Sequence, residues 1–424
     1  MVQFPRYESY KDSGVAWLGK VPSHWKLTTG RTCLSEQCNK NIGNKEKTVL
    51  SLSYGKIVIK PEDKLHGLVP ESFETYQIIT PGNIIIRSTD LQNDKVSLRV
   101  GLVKDKGIIT SAYLCLNVKH ELNPRFTYYL LHSYDILKVY YGMGSGLRQN
   151  LSFTDFKYLP LSFPSLEEQK RIVNFLDKKT AEIDEAIAQK QKLIKLLQEQ
   201  KAILINRAVT KGLNPNVTMR DSGIEWIGEI PEHWEVKRLK FIAQIIAGQS
   251  PHESTYNSVG VGSILVNGPV EFSGGDLGKT VETKWTTSPK KFVSQETLLF
   301  CLRGSTTGRL NISHKALSIG RGVAGIIFSP EDNNSFYHYV IWSLAQQIRG
   351  TFRGSTFPSI TSPQLGNYPV PIVPINEQNQ IYEQIKQIEE DTSKVISSVN
   401  KELTSLQELN QVLISNAVTG KIKI

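Results

Sequence analysis

The sequence predicts an α+β chain made by duplication, with two β-rich globular domains and two long amphipathic helices, one closing each copy. Three observations predict it. A lead-in of fixed residue spacing occurs twice, 209 residues apart. Short β-branched and aromatic runs, punctuated by Gly, Pro and Asn, fill the stretch after each lead-in. A proline-free stretch with a single apolar stripe then closes each copy.

The repeat organises the rest, because self-similarity at a fixed offset sets the domain count before any local reading does. Asp12, Ser13, Gly14, Trp17, Gly19, Pro22, His24 and Trp25 recur as Asp221, Ser222, Gly223, Trp226, Gly228, Pro231, His233 and Trp234. Pro160, Glu168 and Gln169 recur as Pro369, Glu377 and Gln378, and Ala208-Val209-Thr210 as Ala417-Val418-Thr419. Between these anchors the copies diverge. Uniform drift would blur the ends as well, so a constant frame carrying two different surfaces is the better reading. The expected boundaries are 1–163 for the first domain, 164–212 for the central helix, 213–373 for the second domain and 374–424 for the C-terminal helix.

Taken in order, the Asp-Ser-Gly start is turn-like, and its Asp and Ser are suited to cap a short helix. The two tryptophans of each lead-in are expected to anchor it on the core. Strands are expected at Ile57–Ile59, Ile84–Ile86, Tyr113–Val118, Ser263–Val266, Leu298–Leu302 and Ala324–Phe328, and shorter helices near Pro124–Tyr140 and Ser335–Arg349. Pro160 and Pro164, then Pro369, Pro371 and Pro374, mark breaks before the long helices. Glu167, Glu168 and Glu377 occupy first turns, where the helix dipole favours a carboxylate. The predicted seams are Leu176, Ile183, Ile187, Ile194, Leu197, Leu204 and Ala208, and Ile381, Ile385, Ile388, Val395, Val399, Leu406, Leu409 and Leu413. Each helix would run roughly 40 residues, or roughly 60 Å. Gly212 and Gly420 supply stops. A one-stripe helix needs a partner, and two in one chain supply each other as an antiparallel coiled coil. A domain at each end of such a rod suits a split target with an unread spacer.

Composition bounds the partners. The 424 residues are 39% hydrophobic and 21% charged, a globular balance, with a net charge of +10. The excess is uneven: +7 over residues 1–165, +3 over 166–211, +2 over 212–373 and −2 over 374–424. A polyanion suits the first half better than the second. The absence of an 18-residue apolar run excludes a spanning helix, and the N-terminus lacks an apolar signal core, so a cytoplasmic protein is expected. Cys33, Cys38, Cys115 and Cys301 lack zinc spacing and read as reduced, mostly buried thiols.

The combined pattern resembles the specificity (S) subunit of type I restriction-modification systems. The resemblance spans essentially the whole chain. It rests on the paired Asp-Ser-Gly…Trp…Pro-x-His-Trp lead-ins, the helix starts at Pro164–Gln169 and Pro374–Gln378, and the Ala-Val-Thr ends. One departure is visible: Pro164 to Gln169 holds one residue more than Pro374 to Gln378, which questions residue-level symmetry there. The resemblance implies two pseudo-symmetric target recognition domains separated by two antiparallel helices, each domain reading half of a bipartite DNA site. It implies docking of two modification subunits that methylate adenine with S-adenosylmethionine held by the partner. Two restriction (motor-nuclease) subunits would complete the complex, and the chain itself would carry no catalytic activity, cofactor or metal.

Enzyme signals are weak. Gly274-Gly275-Asp276-Leu277-Gly278-Lys279-Thr280 imitates a phosphate loop, but Gly274 stands one residue too close. No Asn/Asp-Pro-Pro-aromatic segment and no His-x-x-x-His pair occurs. Glu62/Lys64 and Glu282/Lys284 imitate half of a nuclease motif and read better as solvated charge. Base reading needs polar side chains on loops at groove edges. The candidates are Lys56, Arg87, Thr89, Ser111, Tyr113, Ser145, Arg148 and Asn150 in the first copy. In the second they are Gln249, Arg303, Ser305, Thr306, Arg309, Arg353, Ser355 and Thr356. A duplicated coiled-coil scaffold that binds proteins instead of DNA is the alternative, favoured by the small charge excess of the second copy. An unrecognised nuclease or methyltransferase is a third.

Overall fold

The computed structural model describes residues 4–61, 72–92, 98–119, 121–143, 150–351 and 359–424. Contacts divide the chain into two compact units, Met1–Gln191 with Asn400–Ile424, and Lys192–Val399. Each draws on both long helices. No helix among the described residues is long and apolar enough to cross a membrane.

In unit 1 the lead-in is a hairpin, Tyr10–Asp12 antiparallel to Lys20–Pro22. Its turn is held by Asp12, which accepts from the Gly14 amide at 2.9 Å, and Ser13, which accepts from Val15 at 3.2 Å. The expected short capped helix is therefore a side-chain-stabilised turn: Gly14 and Gly19 take φ of +68° and +60°, left-handed values incompatible with a helical run. Lys26–Thr29 pairs with Pro160–Phe163, closing the end of the domain onto its beginning. Helix α1 (Gly30–Cys33) leads into a four-stranded antiparallel sheet in the order Leu34–Gln37, Leu114–Val118, Ile84–Ile86, Val100–Leu102. The central strand is buried on both faces, as its unbroken isoleucine run requires. Ile84 and Ile86 face the main core under α2 (Pro124–Ile136), while Ile85 joins Leu50, Ile79 and Ile109 on the other side. Helix α2 stops four residues short of its expected end, because Lys138 turns to φ +60°. Helix α3 (Phe153–Lys157) precedes the closing strand.

Unit 2 repeats the frame. Met219–Asp221 pairs with Glu229–Pro231, and Glu235–Arg238 with Pro369–Ile372, each at the 209-residue offset. The four-stranded sheet runs Ala243–Ala247, Val323–Phe328, Leu298–Cys301, Leu310–Ile312. Helix α5 (Asn334–Thr351) covers one face, and α6 (Ser362–Gly366) follows. The middle differs: a five-stranded sheet in the order Tyr256–Asn257, Trp285–Thr286, Ser263–Val266, Leu317–Ile319, Phe292–Val293 packs a second core around Leu299, Cys301 and Val266.

The long helices are α4 (Leu166–Lys211, 46 residues) and α7 (Ile375–Val418, 44 residues). Their first residues differ by 209, so the doubted symmetry holds to the residue. Ser165, not Pro164, accepts the first amide bond of α4, from Gln169, where Pro374 accepts that of α7, from Gln378. A proline simply moved by one position. Each helix starts in one unit and ends in the other. In unit 1, Glu168 at the start of α4 bonds Trp25, and Gly420, just past α7, packs on the same indole; further along, Lys190 pairs with Glu402. The paired stretches are antiparallel. Unit 2 mirrors this with Glu377 on Trp234, Gly212 against that indole and Lys201 paired to Glu389 at 3.4 Å.

The seam departs from the predicted one at three positions: Leu204, Val395 and Leu409 are exposed. An unsupercoiled helix drifts about 20° per heptad against a 3.5-residue repeat. At the far end of α4 the buried face has moved to Ile205 and Val209, and at the end of α7 to Ile414 and Val418, which join the cores of units 2 and 1.

Candidate nucleic-acid interface

The frame supplies its own polar lock. Glu168 is buried and accepts from Tyr7 Oη at 2.6 Å and Trp25 Nε1 at 3.2 Å, with His24 Nε2 at 2.9 Å. Burial raises its pKa, but these bonds outweigh burial and hold the carboxyl below its ordinary value. Glu377 repeats the arrangement with His233 at 2.7 Å and Trp234 at 3.0 Å, without a third partner among the described residues. Gln169 and Gln378 accept from the amides of Asn123 and Asn333 and donate to the carbonyls of Pro164 and Val373. The lead-in His-Trp and the helix-start Glu-Gln, 143 or more residues apart in sequence, thus form one joint per unit, a structural use that explains their recurrence.

Beyond that joint, each four-stranded sheet ends in loops. In unit 1 the segment after Ile84–Ile86 carries Arg87 and Thr89. It is held by Arg99, a fully buried side chain that donates to the carbonyls of Arg87 (3.2 Å), Thr89 (2.8 Å) and Asp90 (3.1 Å). Asn150 accepts from the Asp90 amide at 3.1 Å, and Leu151 donates to the Ser88 carbonyl at 2.7 Å. Ser88 Oγ bonds the Ala112 carbonyl at 3.0 Å, placing Ser111 and Tyr113 beside the same loop. Arg87, Thr89, Ser111, Tyr113 and Asn150 are therefore gathered at one sheet end. Ser111 Oγ is engaged by the Thr75 carbonyl, and the half-buried Tyr113 ring packs on the smaller core. Lys56 lies apart, on the hairpin Leu50–Ser53/Lys56–Ile59, with its ammonium 2.6 Å from Asp184 of α4. Ser145 and Arg148 lie outside the described residues.

Unit 2 shows the corresponding edge. Ile360 donates to the Leu302 carbonyl, and Arg303 bridges Ser359, as Leu151 meets Ser88. Arg303 and Ser305 are exposed, and Thr306 is half-buried. Arg309 turns back to the Ser273 carbonyl at 3.3 Å. Gln249, also exposed, stands at the same end of the sheet, two strands away from Arg303. Arg353, Ser355 and Thr356 lie outside the described residues.

Two supports and one exposed arginine escaped the sequence reading. Arg99 is an arginine beside apolar Leu98 and Val100, a weak signal. Arg349 at the end of α5 pairs with Asp276 at 2.7 Å and donates to the Gly308 carbonyl at 2.8 Å, steadying the loop of Arg303. Arg321 occupies an exposed turn between two glycines, a pattern its sequence does show. The phosphate-loop lookalike is a support loop: Asp276 accepts from Leu310 and Arg349, and buried Thr280 meets His314 at 2.7 Å. Glu282 is taken by Lys315 and His314, while Glu62 and Lys64 lie outside the described residues. Cys33, Cys115 and Cys301 are buried and Cys38 is exposed, all as free thiols. Among the described residues no group of three or more His, Cys, Asp or Glu is arranged to hold a metal.

Two copies of one frame, each presenting a polar sheet end of its own, make the chain a tandem recognition protein in architecture. The model for the type I restriction modification DNA specificity domain matches it twice, over residues 30–196 and 231–405, and the chain belongs to that family. The putative type I restriction enzyme MjaX specificity subunit of Methanocaldococcus jannaschii is 28% identical over 443 residues, covering 100% of this chain and 99% of its own. The MjaVIII specificity subunit of the same organism is 25% identical over 337 residues, 75% of each chain. Two solved structures share the fold. One comes from a study of complex assembly and conformational transition of the type I R-M system, with 21% identity, a TM-score of 0.69 and coverage of 94% of this chain and 98% of the other. The HsdS subunit from Thermoanaerobacter tengcongensis gives 20% identity, a TM-score of 0.51 and coverage of 95% and 98%.

Proposed function

We propose that this chain is the DNA sequence-specificity subunit of a type I restriction-modification complex, in which units 1 and 2 read the two halves of a bipartite, asymmetric site. On this reading α4 and α7 set the half-site spacing and dock two modification subunits. Those partners hold S-adenosylmethionine and methylate adenine at N6; two restriction (motor-nuclease) subunits add cleavage. The chain is then non-catalytic, cytoplasmic and free of any cofactor or metal of its own. The observation that carries the reading is the contrast within each unit: a frame whose ends repeat at one offset, from Tyr10 and Met219 to the starts of α4 and α7, holding sheet-end loops that differ in length and in what supports them, Arg99 in one and Arg349 in the other. Constant joints with variable tips suit two different sequences read at one fixed separation. The sheet-end residues are the base and phosphate contacts of this proposal: Arg87, Thr89, Ser111, Tyr113 and Asn150 in unit 1, and Gln249, Arg303, Ser305, Thr306 and Arg309 in unit 2. Lys56, Ser145, Arg148, Arg353, Ser355 and Thr356 complete the set.

The test is a genome-wide map of N6-methyladenine in a host supplying the matching modification subunit, with and without this gene. The expected result is one split motif that depends on the gene. Assembly of the complex without gene-dependent methylation would overturn the reading and favour a protein-binding scaffold.

A further inference from the structure

Three neighbouring strand ends of unit 2 carry exposed polar side chains that no hydrogen bond or ion pair engages among the described residues. Gly248 donates to the Val323 carbonyl and Gln249 to that of Ile319, while Leu302 donates to the Gly322 carbonyl. Gln249, Arg321 and Arg303 therefore stand side by side at one end of the sheet formed by Ala243–Ala247, Val323–Phe328 and Leu298–Cys301. All three are exposed. Three other cations of the same domain are paired with carboxylates: Lys279 with Glu296 at 2.9 Å, Lys315 with Glu282 at 2.7 Å and Arg349 with Asp276 at 2.7 Å. Among the described residues no hydrogen bond or ion pair engages the side chain of Gln249, Arg303 or Arg321. The segments that bear them, Gly248–Ser250, Leu302–Arg309 and Leu317–Val323, contain no carboxylate.

Arg321 is also the most rigidly mounted of the three. Its amide donates to Ser250 Oγ at 3.1 Å. A Cβ on Gly320 would fall 1.8 Å from Asn267 Oδ1, one on Gly322 2.7 Å from the Asn267 carbonyl, and one on Gly248 2.1 Å from the Gly320 carbonyl. At Gly322 and Gly248 the neighbour is backbone, an approach only glycine permits, so the arginine side chain projects from a closely packed turn. Two strand spacings separate Gln249 from Arg303, roughly 10 Å, against about 12 Å for a DNA major groove. A guanidinium offers a rigid donor fork that matches guanine O6 and N7, and a fixed mount lowers the ordering cost of using it.

We infer that Arg321 reads a guanine in the half-site of unit 2, flanked by Gln249 and Arg303; this rests on the DNA-reading function proposed above. The experiment uses the full chain in its complex with the modification subunits, and compares N6-methyladenine motifs for the wild type, Arg321→Ala and Arg321→Lys. In Arg321→Ala one guanine position of one half-site becomes degenerate, with roughly 10- to 100-fold loss of preference there. The other half-site and the spacer stay unchanged, and so does the melting temperature, because the side chain is exposed. Arg321→Lys recovers only part of the preference. An unchanged motif would overturn the inference, including the case where binding weakens equally on all sequences and the salt slope drops by about 1, the signature of a phosphate contact. A wild type that methylates no split motif would instead refute the underlying reading, and the two failures are thus told apart.

Discussion

Units 1 and 2 solve one mechanical problem in two ways. Both must hold a loop at the end of a buried central strand. Unit 1 does so with a single fully buried arginine, Arg99, whose guanidinium takes three backbone carbonyls and meets Tyr141 at 3.3 Å. Unit 2 reaches its loop from outside, with the partly exposed Arg349 held by Asp276. The joints at Glu168 and Glu377, by contrast, share the same His and Trp partners. A joint that must also seat the long helices has little room to vary, whereas a loop support answers only to its own loop.

This difference predicts unequal losses. Arg99→Met keeps the apolar stem but removes the donor of three part-buried carbonyls, each costly to leave unpaired, and should destabilise unit 1 by about 4 kcal/mol. Arg349→Met leaves Asp276 with the Leu310 amide and Gln346, and should cost unit 2 about 1–2 kcal/mol. Denaturant titration with hydrogen exchange read separately at Ile84–Ile86 and Leu298–Cys301 measures both. Equal losses would erase the distinction between an internal and an external support.

Acid should separate the units next. Each buries a histidine, His132 or His338, that burial pushes down to about 4. The unfolded chain takes that proton first, near pH 6.5, so stability falls as pH drops from about 6.5 to about 4, by about 3 kcal/mol for each unit. Unit 1 alone has Asp135, which burial raises to about 6 against the lowering bond from the Arg99 amide. Here the folded state takes the proton first, so falling pH adds stability between about 6 and about 4, by an opposing amount near 3 kcal/mol. Unit 2 is expected to lose protection steeply over that range while unit 1 holds, and Asp135→Asn should make unit 1 as acid-sensitive as unit 2. Parallel acid profiles in the wild type would contradict the assignment.

Much of the frame was legible because its signals are local or repeated. The Trp25/Trp234 and Glu168/Glu377 pairs stand at one offset, the isoleucine run 84–86 announces a strand buried on both faces, and the Asn123 and Asn333 caps sit just ahead of α2 and α5. The five-stranded sheet of unit 2 was not legible, since Tyr256–Asn257 and Trp285–Thr286 are two-residue strands defined only by their partners. The site was half legible. Gly-Ser and Arg-Ser segments mark loops, but which loops share a sheet end depends on pairings such as Leu302 with Gly322, which no spacing encodes. Lys56 shows the cost: its turn reads like the other loops, yet the fold places it on a separate hairpin beside Asp184 of α4.

The smallest expected effect tests the helices, where the sequence period and the structure part company. A strict seam assigns Leu204 to the interface, but in unit 2 it is 38% exposed while Ile205 is 1% exposed and packs with Val209 and Trp234. Ile205→Ala should cost about 2–4 kcal/mol through lost burial and a residual cavity. Leu204→Ala should stay within about 0.5 kcal/mol, as surface changes do. Chemical denaturation of the two variants decides between the faces. A large loss from Leu204→Ala would mean that the heptad register continues to the end of α4. The reverse ranking would establish that the helix abandons its coiled-coil register for the domain core about two turns before it stops.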